Sequence, residues 1–260
     1  MAAYPRTRRR NVPRGAIAGL TALAAALAFV TPSAPVQAAG SLAAPATTGA
    51  AATSGYWMVG SDGKVYPFGD ATDLGSPALP AGARATHIEP APDGGGYYVL
   101  DDRGDVFAYG HAQSLGNAAL PAGETAVSLS ATPSGQGYWI FTSVGRVITK
   151  GDARNLGDMS GKHLNAPVVS STVTPDGSGY WMVAADGGIF TFGHAPFKGS
   201  AGGSFHAPCV SITPSTTGNG YALLLSDGSV LPYGDVPYLG GASGRVAGVA
   251  VGMAGFLEPL

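Results

Sequence analysis

Along residues 55 to 257 the chain alternates short apolar runs with clusters of Gly, Asp, Ser and Pro. The runs are too short for helices and rich in aromatic and branched residues, so they read as strands. The first run of each unit, such as Tyr56-Trp57-Met58-Val59 or Tyr180-Trp181-Met182-Val183, is apolar on both alternating faces. That is the pattern of a strand buried on both sides. A tight turn follows (Ser61-Asp62-Gly63, Ser226-Asp227-Gly228), where Asp and Gly tolerate the positive φ of a hairpin. A second strand comes next: Val65-Tyr66-Pro67-Phe68, Val106-Phe107-Ala108-Tyr109 or Ile189-Phe190-Thr191-Phe192. A short third segment lies around Leu74-Gly75, and a more polar run such as Val168 to Val173 precedes the next unit. The pattern predicts three to four antiparallel strands per unit and leaves no room for a helix.

The units are copies of one another. Gly-Tyr-Trp or a relative recurs at Tyr56, Tyr97, Tyr138, Tyr180 and Tyr221, at spacings of 41, 41, 42 and 41 residues. Glycines follow each tyrosine at fixed offsets of seven (Gly63, Gly104, Gly145, Gly187, Gly228), thirteen (Gly69, Gly110, Gly151, Gly193, Gly234) and nineteen (Gly75, Gly116, Gly157, Gly199, Gly240). The one-residue variation falls in the linker before the next tyrosine, where a loop tolerates insertion. Short antiparallel strands repeating at about 40 residues are the signature of a β-propeller, whose blades pack face to face. We therefore expect an all-β fold with five blades. A sixth tyrosine would fall beyond the C-terminus, but Val246 to Val251 still supplies the strand that precedes it, and this strand is expected to complete the first blade and close the ring. The rival architecture is an open solenoid, or an incomplete ring finished by oligomerisation.

The unit Gly-Tyr-Trp-Met-Val-Ala-Ala-Asp-Gly-Gly-Ile-Phe-Thr-Phe-Gly-His-Ala-Pro-Phe-Lys-Gly-Ser, residues 179 to 200, preceded by His163-Leu164-Asn165-Ala166-Pro167-Val168-Val169, resembles the propeller-type repeat of secreted actinobacterial proteins. The likeness spans residues 55 to 257, with departures: Ala222 replaces the Trp, Val144 the turn Asp and Lys150 an aromatic. The resemblance implies an extracellular recognition or scaffold module of the kind that accompanies cell-wall hydrolases, peptidases or esterases without being the catalytic part.

The N-terminus agrees with export. Residues 1 to 38 hold five arginines (Arg6, Arg8, Arg9, Arg10, Arg14) and no acidic residue, then an apolar run from Gly15 to Val30 and Val36-Gln37-Ala38. This is the pattern of a helical signal peptide cleaved after Ala38. The apolar run is shorter than the roughly 20 residues of a membrane span, and Pro32 and Pro35 interrupt any continuation into an anchor. Arg9-Arg10 is followed by Asn11-Val12-Pro13, a poor fit to a twin-arginine signal, so the general secretory route is expected. Residues 39 to 54, mostly Ala, Thr, Ser and Gly, read as a linker. The mature chain would keep nine basic against sixteen acidic residues, about −7, which argues against nucleic acid as a partner.

Composition adds two bounds. The 260 residues are 45% apolar and 12% charged, enough to bury a core and too apolar for a disordered chain, and the 41 glycines fit a fold full of tight turns. The single cysteine, Cys209, cannot form an internal disulfide and is expected in the core.

The chemistry-bearing residues are few. No Gly-x-Ser-x-Gly, His-Glu-x-x-His, Cys-x-x-Cys or calcium loop occurs. A glycosidase needs two carboxylates across a sugar bond, and only Glu89, Glu124 and Glu258 are glutamates, while most aspartates sit at turns where local hydrogen bonds account for them. Two sets of candidates stand out. Asp70, His111, Asp152, His194 and Asp235 follow the second glycine of each unit and would gather a cation if they converged on one rim of a ring, or else cap their own turns. Trp57, Tyr98, Trp139 and Trp181 would line pockets between blades or form blade packing, whereas Phe197 and Tyr238 are not forced by strand packing and are the better ligand candidates. Their counterparts Asp73, Ser114 and Asn155 make such sites unequal. The expectation is a secreted, monomeric, noncatalytic binding or scaffold propeller that uses no cofactor and takes a cell-wall glycan or an extracellular protein as partner; the alternative is a propeller enzyme such as a glycoside hydrolase.

Overall fold

The computed structural model describes residues 55–203, 206–246 and 250; the expected signal peptide, the linker and residues 251 to 257 lie outside that range. The described residues contain fourteen strands and no helix. They are β1 (Gly55–Val59), β2 (Val65–Gly69), β3 (Ala85–Pro90), β4 (Gly96–Asp101), β5 (Val106–Gly110), β6 (Ala126–Ala131) and β7 (Gly137–Thr142). The chain continues through β8 (Val147–Gly151), β9 (Val168–Val173), β10 (Gly179–Ala184), β11 (Ile189–Gly193), β12 (Cys209–Pro214), β13 (Gly220–Leu225) and β14 (Val230–Gly234). They form five antiparallel sheets: β1-β2, β3-β4-β5, β6-β7-β8, β9-β10-β11 and β12-β13-β14.

Each complete sheet places the tyrosine-bearing strand in the middle, so β4, β7, β10 and β13 are buried at every residue. The polar run before the tyrosine supplies the first strand of the same sheet, and these first strands pack on one another in sequence: β3 on β6, β6 on β9, β9 on β12. The segment around Leu74-Gly75 is not a strand. Gly75 takes φ +107°, and its carbonyl accepts a bond from the hydroxyl of Tyr97 in the next sheet (2.5 Å), so the segment joins sheets instead of extending one.

That bond repeats at every described interface between sheets. Tyr138 donates to Gly116 O (2.8 Å), Tyr180 to Gly157 O (2.5 Å) and Tyr221 to Gly199 O (2.6 Å). A Cβ on Gly157 would come within 2.9 Å of the Phe192 ring, and one on Gly199 within 2.6 Å of Tyr233, so the glycine makes room for the neighbour's aromatic. The four tyrosines are fully buried and cluster with other rings at centroid separations of 5.2–6.1 Å. Burial pushes Tyr97 and Tyr180 up to about 12.

The first sheet differs. It has two strands, and Tyr56 and Met58 on β1 are 56% and 53% exposed, contrary to the expectation that this run is buried on both sides. Of the expected strand from Val246 to Val251, Val246 and Ala250 alone lie among the described residues. Ala250 N donates to Ser226 O, the bond that begins β3 (Ala85 to Ser61), β6 (Ala126 to Asp102), β9 (Val168 to Ser143) and β12 (Cys209 to Ala185). Val246 is irregular, so Ala250 marks the start of the equivalent run.

Candidate functional site

The turn aspartates hold their own turns. Asp62 Oδ1 accepts from Lys64 N, Asp186 Oδ1 from Gly188 N and Asp227 Oδ1 from Ser229 N. Glu124 forms a bidentate pair with Arg146 (2.8–3.2 Å), which holds its carboxyl below the usual range. Glu89 accepts from Ala131 N in the neighbouring sheet and lies 3.5 Å from His87. Asp101 is fully buried; one of its oxygens accepts from Arg103 and Asp105 N, the other has no partner, and burial raises its pKa. Cys209 is buried as expected, and its thiol is pushed up to about 11 by desolvation.

The five positions read either as a shared cation site or as caps of their own turns do not converge. Among the described residues no three His, Cys, Asp or Glu side chains come together in a metal-holding group. His111 Nδ1 pairs instead with Asp93 at 2.8 Å. Asp152 accepts from Ser134 (2.6 Å) and Thr132 (2.9 Å), and Asp235 accepts from Thr217. In each case one partner lies eighteen positions earlier, in the turn before the central strand of the same sheet, and Thr132 lies twenty positions before Asp152. Pairing of Gly96 with Gly110 closes the hairpin between those two positions, as Gly137 with Gly151 and Gly220 with Gly234 do in their sheets. The residue eighteen positions earlier is acidic before His111 and His194 (Asp93, Asp176) and carries a hydroxyl before Asp152 and Asp235 (Ser134, Thr217). This complementarity is visible in the sequence and points to pairs within sheets, which a reading by repeat position alone overlooks. His194 N bonds Ser178 O, while Asp176 is held by Thr174 and Ser178. Those bonds bring Asp176 down to about 2.

The aromatic candidates divide. Trp139 and Trp181 are 2% and 0% exposed, and their indole N–H groups donate to Arg154 O (2.7 Å) and Pro196 O (2.9 Å). Trp57 makes the same bond to Thr72 O (2.8 Å). These rings are interior packing and anchors for the loop fifteen residues on. Phe197 and Tyr238 stand out from the surface at 59% and 63% exposure, on the loops after β11 and β14. Their counterparts Asp73 and Asn155 instead accept from Gly75 N (3.0 Å) and Gly157 N (2.8 Å) and hold the same loop locally.

Two clefts open between neighbouring sheets. One of about 360 Å³, between the first and second sheets, is lined by Trp57, Asp70, Thr72 and Pro90 among others. The other, about 330 Å³, lies between the second and third sheets beside Asp93, Tyr98, His111, Gln113, Ser134 and Gln136.

No protein-family model and no curated protein sequence matches the chain. Among solved structures it is similar to the β-propeller domain of Cps50 (Swd1) from Myceliophteria thermophila, at 14% identity and a TM-score of 0.51, over 68% of this chain and 65% of that one. The chain thus spans about two thirds of that structure's length. At this identity the likeness speaks for architecture alone, and together with the five antiparallel sheets in series it makes the fold a β-propeller.

Proposed function

We propose that this chain is a noncatalytic binding or scaffold propeller acting outside the cell, with a cell-wall glycan or an extracellular protein as its partner. The observation that carries the reading is the pair Phe197 and Tyr238, exposed large aromatics at one repeat position on adjacent sheets. Exposed rings of this kind stack on sugars or anchor a protein contact, and repetition on neighbouring blades adds avidity. Export rests on the signal-like first 38 residues and the resemblance to secreted actinobacterial repeats. The carboxylates Glu89 and Glu124 are engaged in structural bonds, which favours the noncatalytic reading over a glycoside hydrolase. Retention of the chain on purified actinobacterial cell wall, released by a soluble sugar and lost in Phe197→Ala/Tyr238→Ala, is the expected result. No retention of the folded chain overturns the cell-wall reading and turns the search to a protein partner.

The finer architecture we infer is a five-blade ring in which the run beginning at Ala250 adds the first strand to β1-β2. Two observations support it: Ala250 N bonds Ser226 O as every other first strand does, and the two ends of the array carry matching surfaces. Leu74, Leu115 and Leu156 pack into sheet clusters, while their counterpart Leu239 is 81% exposed; Tyr56 and Phe68 are exposed on the first sheet. Joined, Tyr56 would meet Gly240 as Tyr97 meets Gly75. Light scattering should give the mass of one chain; a stable oligomer overturns closure within the chain.

A further inference from the structure

The cleft between the second and third sheets lies where one repeat departs from the others. Where Trp57, Trp139 and Trp181 stand in their sheets, the second sheet has Tyr98. The indole of Trp139 reaches across to the third-to-fourth interface, its Cη2 lying 4.0 Å from where a Cβ on Gly177 would be. No ring reaches the equivalent glycine, Gly135, at the second-to-third interface. The turns are also farther apart there. A Cβ on Gly135 would stand 3.7 Å from Pro92 Cδ, against 2.7 Å for Gly177 with Pro133 and 3.0 Å for Gly218 with Pro175. The wider gap between the turns accompanies an opening of about 330 Å³, with Tyr98 in its lining.

Its walls are polar, and their acidic side chain, Asp93, is paired with His111. Hydrogen bonds from Gly95 N and His111 hold the Asp93 carboxyl below its usual range. Ser134 is committed to Asp152. The side-chain amides of Gln113 on one wall and Gln136 on the other make no bond within the described residues, and each offers two donors and an acceptor. Pro92, Pro133 and Ala91 give only narrow apolar edges, and Tyr98 is 1% exposed, so the site offers neither a deep apolar pocket nor a stacking ring. A free anion would face the Asp93 carboxylate, and a peptide side chain would find nowhere to bury. Neighbouring hydroxyl groups, which both donate and accept, suit two facing amides. The volume is at the small end of ligand clefts, about 300–1,000 Å³, and fits one sugar ring better than a chain.

We infer that this cleft is a binding site for a single neutral sugar unit, gripped between Gln113 and Gln136, with Tyr98 in its lining. It is separate from Phe197 and Tyr238 and does not require them. The test is a ¹⁵N–¹H titration of the full chain with glucose, galactose and N-acetylglucosamine, following the side-chain amides of Gln113 and Gln136. At least one of these sugars should shift both amides, and Gln113→Ala should weaken binding about three- to tenfold, as loss of one hydrogen-bonding partner does.

Tyr98→Trp restores the residue of the other sheets, with its indole N–H placed to donate to Gln113 O as Trp139 donates to Arg154 O. This variant should melt no lower than the parent and lose the shifts altogether. Phe197→Ala/Tyr238→Ala should keep them, so this site can stand even if the cell-wall reading fails. Absence of shifts with all three sugars, their persistence in Tyr98→Trp, or equal shifts with trialanine in place of a sugar overturns the inference. Should Tyr98→Trp misfold, unchanged binding in Gln113→Ala overturns it instead.

Discussion

Tyr180 and Tyr56 are the same residue at the same place in the repeat, yet one is fully buried and the other 56% exposed. The strand around each is nearly identical, Tyr-Trp-Met-Val in both. What differs is the preceding sheet. Tyr180 has Gly157 O to bond and lies against Trp139, Phe141 and Phe192, whereas among the described residues Tyr56 has one ring, Phe68, stacked on it at 5.0 Å. Burial in this molecule is thus set between sheets more than within them, and a sheet takes its stability from the neighbours on its two faces.

The strongest way to break that comparison is to delete the adjacent indole. Trp181→Ala, at a fully buried site, should cost about 3–5 kcal/mol in urea unfolding, whereas Trp57→Ala, at a partly exposed one, should cost clearly less. Equal losses would mean that the end sheet is packed as tightly as the interior. A finer probe removes one oxygen. Tyr180→Phe leaves Gly157 O without its donor and should cost about 1 kcal/mol. If the ring closes as proposed, Tyr56→Phe should cost a similar amount; a change near zero would leave the first sheet as an edge.

Alkaline titration reads the same contrast without mutation. Tyr97 and Tyr180 hold their protons up to about 12, against 10 for a free phenol, so the folded state binds these protons more tightly than the unfolded. Their contribution to stability is complete below pH 10 and is lost as the pH rises from there towards 12. Absorbance at 295 nm should show a late-ionising class of tyrosines in the native protein that joins the main class in denaturant. A single step near 10 in the native protein would contradict the burial.

The smallest effect lies at the other end of the pH scale. Asp176, held by Thr174 and Ser178, ionises at about 2 instead of 3.8. Its stabilisation is present above pH 3.8 and disappears as the pH falls towards 2, so Asp176→Ala should flatten the acid limb of the stability profile slightly. An unchanged limb would show that these exposed bonds do not outlast exchange with water.

The periodic part of the fold was legible because it repeats: fixed glycine offsets and two-sided apolar runs specify the central strands, the hairpins and the absence of helices. The sequence could not show that the Leu74-Gly75 segment spends its carbonyl on the next sheet, since only the neighbour's Tyr97 hydroxyl reveals it. The expected strand from Val246 to Val251 lies mostly outside the described residues; within them, the bond that begins the first strand of the other sheets is made at Ala250. Among candidate site residues, the exposure of Phe197 and Tyr238 was legible from their freedom from strand packing. The cleft was not, because its width is the spacing between the turns of adjacent sheets, Gly135 against Pro92, which local sequence does not carry.

The bond from Tyr97, Tyr138, Tyr180 and Tyr221 to the glycine of the preceding unit gives each of these junctions a giving side and a receiving side, so the array has a direction, like a polymer. A tandem duplication of one 41-residue period would bring its own donor and its own acceptor, and the junction would be served on the day it arose. A chain of this kind can change its number of units by recombination without inventing a contact, and its history is open to be written in copy number before it is written in substitutions.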